Sequence, residues 1–319
     1  MILKYIVIDN KYQNINQILK QEFHISARLQ HKLIIEKHVF LNNLFVDTRS
    51  TVSKNDIITV NLDFEEESEN IVSTKMELDV VYEDEAFLIL NKPAGIAVHP
   101  SILHFEDTLS NGVKYYFESI GLKRKIRPVN RLDLNTSGLI IFAKNEYIQE
   151  CLIQQMASNI LKKEYTAIAI GHFEKPKGTI NLPIARKDNS IIERCVSVHG
   201  GQTAITDYEV IQEIEINSEC FSVVKCYLQT GRTHQIRVHM SAIGHPLLGD
   251  TLYGSSYNTD QAMPKENLSS TKIIGRQALH SSKISFIHPI TNKILEFTSN
   301  LPFDMLFNGK VKQCWKKIV

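Results

Sequence analysis

No stretch of this 319-residue chain stays apolar for the roughly 18 residues of a membrane-crossing helix, which argues against a place in the bilayer. Its start, Met1-Ile2-Leu3-Lys4-Tyr5, lacks the basic region and apolar core of a secretory signal. The five cysteines (Cys151, Cys195, Cys220, Cys226 and Cys314) include no Cys-x-x-Cys pair and no dense cluster, so neither a disulfide framework nor a zinc knuckle is expected. Also absent are a Gly-x-x-x-x-Gly-Lys-Ser/Thr phosphate loop, a Gly-x-Gly-x-x-Gly after a strand and a Gly-x-Ser-x-Gly elbow. Readings as an ATPase, an NAD enzyme or a serine hydrolase therefore fall away, and no nucleotide cofactor is expected. His234 and His239 stand off the i, i+4 spacing of a helical zinc site and have no Glu between them, so no metal is expected either. A marked basic excess, usual in nucleic-acid binders, is missing too: the formal net charge is +1.

What is present is an ordinary globular composition, 43% hydrophobic and 22% charged, as expected of a cytoplasmic protein; a monomer is expected. The charge is unevenly spread. Acid concentrates in Glu65-Glu66-Glu67-Ser68-Glu69, whereas Lys123-Arg124-Lys125-Ile126-Arg127 runs on to Arg131 without an acidic residue, so a basic surface can coexist with a neutral sum. The acidic stretch is polar and unpatterned and is expected to be a linker over 65–75, dividing a head (1–64) from a larger domain (76–319).

In the head, Ile15, Ile18 and Leu19 recur at helical spacing, and a second helix opens at Ser26, a plausible N-cap, with Leu29, Leu33 and Ile34 as its stripe. Arg28, His31, Lys32 and Lys37 fall on its polar side. Extended segments follow at Val39 to Leu44 and Ile57 to Leu62, with Asn42-Asn43 as a turn. Beyond residue 76, strands are expected at Ala86–Asn91, Gly138–Ala143, Tyr165–Ile170, Ile205–Ile211 and Phe221–Leu228, and helices at Thr108–Ile120 and Glu146–Ile160. The strands do not alternate strictly with helices, which favours an α+β fold over a doubly wound sheet.

The most unusual block is Pro128-Val129-Asn130-Arg131-Leu132-Asp133-Leu134-Asn135-Thr136-Ser137-Gly138, a polar turn that feeds the apolar run Leu139-Ile140-Ile141-Phe142-Ala143. Gly138 permits a sharp bend, and Thr136 and Ser137 can fix the turn through local hydrogen bonds. On pattern alone Asp133 reads more readily as a turn cap than as a catalytic group.

The block is similar to the Arg-Leu-Asp-x-x-Thr-Ser-Gly signature of the RluA-type pseudouridine synthases, and further segments follow in that family's order. They are Asn91-Lys92-Pro93-Ala94-Gly95 with His99-Pro100, Lys163-Glu164-Tyr165, Gly231-Arg232-Thr233-His234-Gln235-Ile236-Arg237-Val238-His239, Gly249-Asp250, and Arg276-Gln277-Ala278-Leu279-His280. The head resembles an S4-type RNA-binding domain, with Lys37-His38 where a glycine usually precedes the first strand. Asn130 stands where the family usually has His; it can hydrogen-bond like a neutral imidazole but cannot gain charge.

The resemblance implies a mixed, largely antiparallel sheet of the pseudouridine synthase fold behind a small S4-like α/β head. The implied reaction breaks the C1′–N1 bond of uridine, turns the base and rejoins it through C5, with loss of the C5 proton and no cofactor. It gives Asp133 the role of nucleophile or base at C1′, Arg237 that of its ionic partner, and Tyr165 that of the ring beside the uracil whose hydroxyl helps move the C5 proton. Asn130, Arg131 and Thr136 are expected at the substrate, Arg131 filling the gap left by a flipped uridine or contacting phosphate, and Arg28 and Lys32 are expected to bind RNA from the head. The implied partner is RNA, ribosomal RNA of the large subunit ahead of tRNA. A glycoside hydrolase is disfavoured, since no second carboxylate accompanies Asp133 in a motif, and a catalytically inactive RNA-binding assembly factor is the competing reading.

Overall fold

The computed structural model describes residues 1–66, 68, 70–216, 218–254, 273–307 and 309–311; Glu67, Glu69 and Cys314 lie outside the described residues. Residues 2–61 carry a sheet of their own. Its strands are β1 (Ile2–Ile6), β2 (Val39–Leu41), β3 (Leu44–Phe45) and β4 (Ile57–Asn61), in the order β1-β4-β2-β3, flanked by α1 (Ile15–Gln21) and α2 (Ala27–Ile35). The expected helices and the Asn42-Asn43 turn are there, and Ser26 caps α2 by accepting from Leu29 N. β1 was not expected. Lys37 follows α2 in the left-handed conformation at φ 58°, the backbone state for which a glycine is usually kept.

The larger sheet has ten strands. They are β5 (Val80–Glu83), β6 (Phe87–Lys92), β7 (Arg127–Pro128), β8 (Ser137–Ala143), β9 (Lys162–Ile170), β10 (Lys177–Asn181), β13 (Ile205–Ile216), β14 (Glu219–Leu228), β15 (Leu279–Ile287) and β16 (Ile294–Thr298). The main path runs β10-β13-β14-β9-β15-β8-β6-β5, with β7 on β8 and β16 on β15; β11 (Ile184–Arg186) and β12 (Arg194–Val196) form a separate hairpin. All of these pairings are antiparallel except β15 with β8, which run parallel over His280–Ser137 and Ser281–Gly138. Among the described residues the larger part also carries the α-helices α3 (Leu109–Ser119), α4 (Glu146–Ala157) and α5 (Gln235–Ala242) and a short 3-10 turn at Phe303–Met305.

β8 is buried along its whole length because the sheet is covered on both faces. Alternation along the strand sends Leu139 and Ile141 into one core with Ile148 and Leu152 of α4, and Ile140 and Phe142 into another with Val113 of α3 and Met240 of α5. Burying each such side chain contributes about 1.5–3 kcal/mol. The strand that follows the Asp133 turn is thus clamped from both sides. Gly138 is obligatory at its entrance: φ is 109°, and a Cβ there would stand 2.3 Å from the Ser281 carbonyl oxygen on β15.

Where it is described, the acidic stretch read as a linker is fastened to the larger domain. Glu66 receives both terminal nitrogens of Arg127, at 2.7 and 2.8 Å, and pairs with Lys32 as well. Ser68 is buried and accepts from Ile126 N, and Lys114 donates to the Ser68 and Ile71 carbonyls. Three cations of the basic run are paired from within: Arg124 meets Asp63, Lys123 meets Glu65 and Arg127 meets Glu66. The first apolar core continues from Ile15 and Leu19 of the head into Leu139 and Phe286. Among the described residues no helix is long and apolar enough to cross a membrane.

Candidate active site

A cleft of about 920 Å³ opens where β9 and β15 meet the β7–β8 turn and the segment before α5. Asp133, Asn130, Arg131, Thr136, Tyr165, His234 and Arg237 all line it, so residues scattered over a hundred positions of sequence converge on one concavity. Arg28 and Lys32 do not line it. Arg28 is exposed near Glu146 at 3.5 Å, and Lys32 lies in the seam between head and body, held by Glu66 and Glu146.

The turn that carries Asp133 is tied down by three successive carbonyls. The Asp133 carbonyl accepts from Thr136 N, that of Leu134 from Gly95 N and Lys92 Nζ, and that of Asn135 from Arg276. Lys92 is fully buried and also donates to Pro93 and Ile96 carbonyls, each at 2.8 Å. Burial pushes its amine down to about 7, opposed by the pull of Asp133. Three carbonyl acceptors match the three donors of an ammonium and not the two of a neutral amine, so we take the charged form to be the one held here. Arg276 is itself anchored on Asp304 through two hydrogen bonds of 2.7 and 2.9 Å.

Asn130 lines the cleft, but its side chain is engaged elsewhere than at a substrate: it accepts from Ile141 N at 3.0 Å and donates to the Leu139 carbonyl at 3.4 Å, pinning the turn to β8. Both ends of the amide are used, which needs no charge. Thr136 is buried and receives Gln277 Nε2 at 3.3 Å, whereas Arg131 is exposed at the rim.

Arg237 reaches the cleft from α5. Its Nη1 donates to Asp133 Oδ2 at 3.1 Å, while Nε and Nη2 grip the two oxygens of Asp250 at 2.7 and 2.9 Å. Burial opposes the guanidinium charge, but the two carboxylates prevail and raise its pKa. The ring of Tyr253 lies 5.0 Å from the guanidinium carbon. His234, at φ 57° just before α5, has Nε2 3.9 Å from Asp133 Oδ2 and shares a 2.7 Å hydrogen bond between Nδ1 and Tyr253 Oη. Burial pushes this imidazole below its ordinary range against the attraction of Asp133, which favours a neutral ring. Tyr165 projects from β9; burial, reinforced by the Asp133 carboxylate, raises its phenol and keeps it neutral. Asp250, Lys92, Arg276 and Tyr253 were not assigned roles from sequence, although the first three stand within the motifs quoted above.

The mixed, largely antiparallel sheet is the fold of solved pseudouridine synthases. It matches solved structures of human RNA pseudouridylate synthase domain containing 1 (26% identity, TM-score 0.55, 70% of this chain and 83% of that one) and domain containing 4 (21% identity, TM-score 0.55, 72% and 90%). Residues 86–242 match the family model described as RNA pseudouridylate synthase, and residues 5–58 that of the RluD ribosomal pseudouridine synthase N-terminal domain. Among sequence relatives, the uncharacterized RNA pseudouridine synthase YhcT of Bacillus subtilis is 38% identical over 90% of this chain and 89% of its own length. The ribosomal large subunit pseudouridine synthase D of Escherichia coli is 32% identical over 92% and 89%. The chain belongs to the RluA-type RNA pseudouridine synthase family, a family of isomerases.

Proposed function

We propose that this chain converts uridine to pseudouridine in large-subunit ribosomal RNA, with Asp133 acting at C1′ of a uridine flipped into the cleft. The single observation that carries this reading is the 3.1 Å contact from Arg237 to Asp133 at the wall of the cleft. An arginine hydrogen-bonded to one oxygen of a partly shielded carboxylate complements its charge and fixes its orientation, with the other oxygen left to act as nucleophile or base. Tyr165 supplies a neutral ring for the uracil and a hydroxyl near the C5 proton. Arg131, exposed at the rim, fills the stack from which the base has left. The reaction is a redox-neutral isomerisation, so no cofactor is called for. The ribosomal target is supported by the relatives named for the large subunit and by the matching N-terminal domain. The S4-like head over 1–64 contributes RNA affinity through Arg28 at its exposed surface, and the enzyme works as a monomer in the cytoplasm.

The test is tritium release from RNA labelled at uridine C5. Asp133→Asn should abolish release while RNA binding persists. Pseudouridine mapping in wild-type and deletion cells should show sites lost from large-subunit RNA; sites lost only from tRNA would overturn the ribosomal assignment.

A further inference from the structure

Two adjacent lysines open β9, and the fold treats them oppositely. Lys162 is exposed, whereas Lys163 is 9% exposed and lines the same cleft as Asp133. Its Nζ stands 3.5 Å from Met156 Sδ, a weak acceptor, and 3.7 Å from the point where a Cβ on Gly231 would be. Among the described residues no carboxylate pairs with it. The other buried cations around the cleft are all provided for: Arg237 lies on Asp133 and Asp250, Arg276 on Asp304, and Lys92 on three carbonyls. Burial alone pushes the Lys163 ammonium below the ordinary lysine range, with no neighbouring charge entering in either direction.

A buried cation without a counter-charge is costly, and the cost is recovered when a ligand supplies the missing anion. Here the anion has to enter by the cleft, at the side where Gly231 contributes no side chain to obstruct it. The proposed substrate carries one such group on every nucleotide. We propose that Lys163 Nζ binds a backbone phosphate of the RNA strand beside the target uridine. This rests on the pseudouridine synthase reading and adds to it a fixed anchor for the strand. A compact ammonium on a packed stem suits one phosphate oxygen at one position, where a bidentate fork is not required.

The experiment measures binding of short RNA substrates in which single phosphates near the uridine are replaced by neutral methylphosphonates, with Asp133→Asn protein so that turnover does not intrude. One replacement should weaken binding about tenfold, as expected for one charge-assisted hydrogen bond. The same replacement should add no further loss in Asp133→Asn/Lys163→Met, which keeps the apolar stem and so the packing. Lys163→Arg should retain the sensitivity. In an otherwise wild-type chain Lys163→Met should raise KM about tenfold with kcat little changed. Losses that add independently at every phosphate, or a collapse of kcat at unchanged KM, would overturn the proposal. Failure of the wild-type protein to release tritium from any RNA would instead refute the proposed function, and the binding comparison distinguishes the two.

Discussion

Arg237 grips both oxygens of Asp250 and gives a further hydrogen bond to Asp133, so one guanidinium ties a carboxylate whose side chain is 0% exposed to one that opens on the cleft. Asp250 lies at the start of the turn after Gly249 and also accepts from Leu252 N and Tyr253 N, which makes it a rigid base for the arginine. The fork is thereby aimed before any substrate arrives.

Two variants separate aiming from folding. Asp250→Asn retains the turn contacts but loosens the grip on Arg237, and kcat should fall roughly 10–100-fold with a small change in KM. Arg237→Ala leaves Asp250 as an uncompensated buried charge and should cost about 3–5 kcal/mol in urea denaturation. An Asp250→Asn enzyme with unchanged kcat would show that the second carboxylate does not position the first.

The junction of β8 and β15 supplies a second prediction. Gly138→Ala combines a φ of 109° with a Cβ 2.3 Å from the Ser281 carbonyl oxygen, so β15 has to yield or the strand entrance has to unwind. The loss should be about 2–4 kcal/mol, read as a lower urea midpoint. Activity should fall with it, since the turn bearing Asp133 ends at this residue. Gly95, where a Cβ meets nothing within 4 Å despite a φ of 85°, is the control and should lose less.

These sites differ in how far they could be read from sequence. The helices over Leu109–Ser119 and Glu146–Ala157 were legible because their stripes are local, and so was the Ser26 cap. β1 was not, because Ile2–Ile6 is a strand only through its partner β4, more than fifty residues away. The acidic and basic runs were each visible, yet their pairing is tertiary and composition cannot express it. Asp133, Tyr165 and Arg237 were singled out through motifs, and the fold brings all three to one cleft. Asn130 was singled out by its motif position, but the bonds its amide makes to the β8 backbone are tertiary and not visible in that position. Lys163 could not be told from Lys162 until burial distinguished them.

His280 gives a pH dependence whose sign is set by burial. Its ring is buried on β15, with Nδ1 2.9 Å from Ser137 Oγ, and burial pushes its pKa down to about 4. The unfolded imidazole titrates near 6.5, so between these values the unfolded chain binds the extra proton. The contribution is fully present above pH 6.5 and lost as pH falls toward 4, amounting to about 3 kcal/mol. His280→Gln should flatten the stability profile across that window relative to wild type, by urea titration at each pH. Parallel profiles for the two proteins would rule the histidine out as the source.

The Glu66 clasp makes the last prediction. Its side chain is 8% exposed between Arg127 and Lys32, and although burial alone would raise its carboxyl, hydrogen bonds from those two cations hold it below the ordinary range. Below that range the carboxylate gains a proton and the clasp is lost, so this stability is present above about pH 4.5 and disappears on acidification. Glu66→Ala strands Arg127, 6% exposed, without its bidentate partner and should cost about 3–5 kcal/mol. Because Ser68 and Ile71 are held next to the clasp, protease cleavage between the head and the larger domain should become fast in this variant while β8 and β9 stay protected. Replacing both partners, Glu66→Leu with Arg127→Met, should recover most of the stability, since an apolar pair leaves no buried charge behind. Equal cleavage rates in wild type and Glu66→Ala would mean that the apolar contacts of the head, and not this ion pair, keep the segment in place.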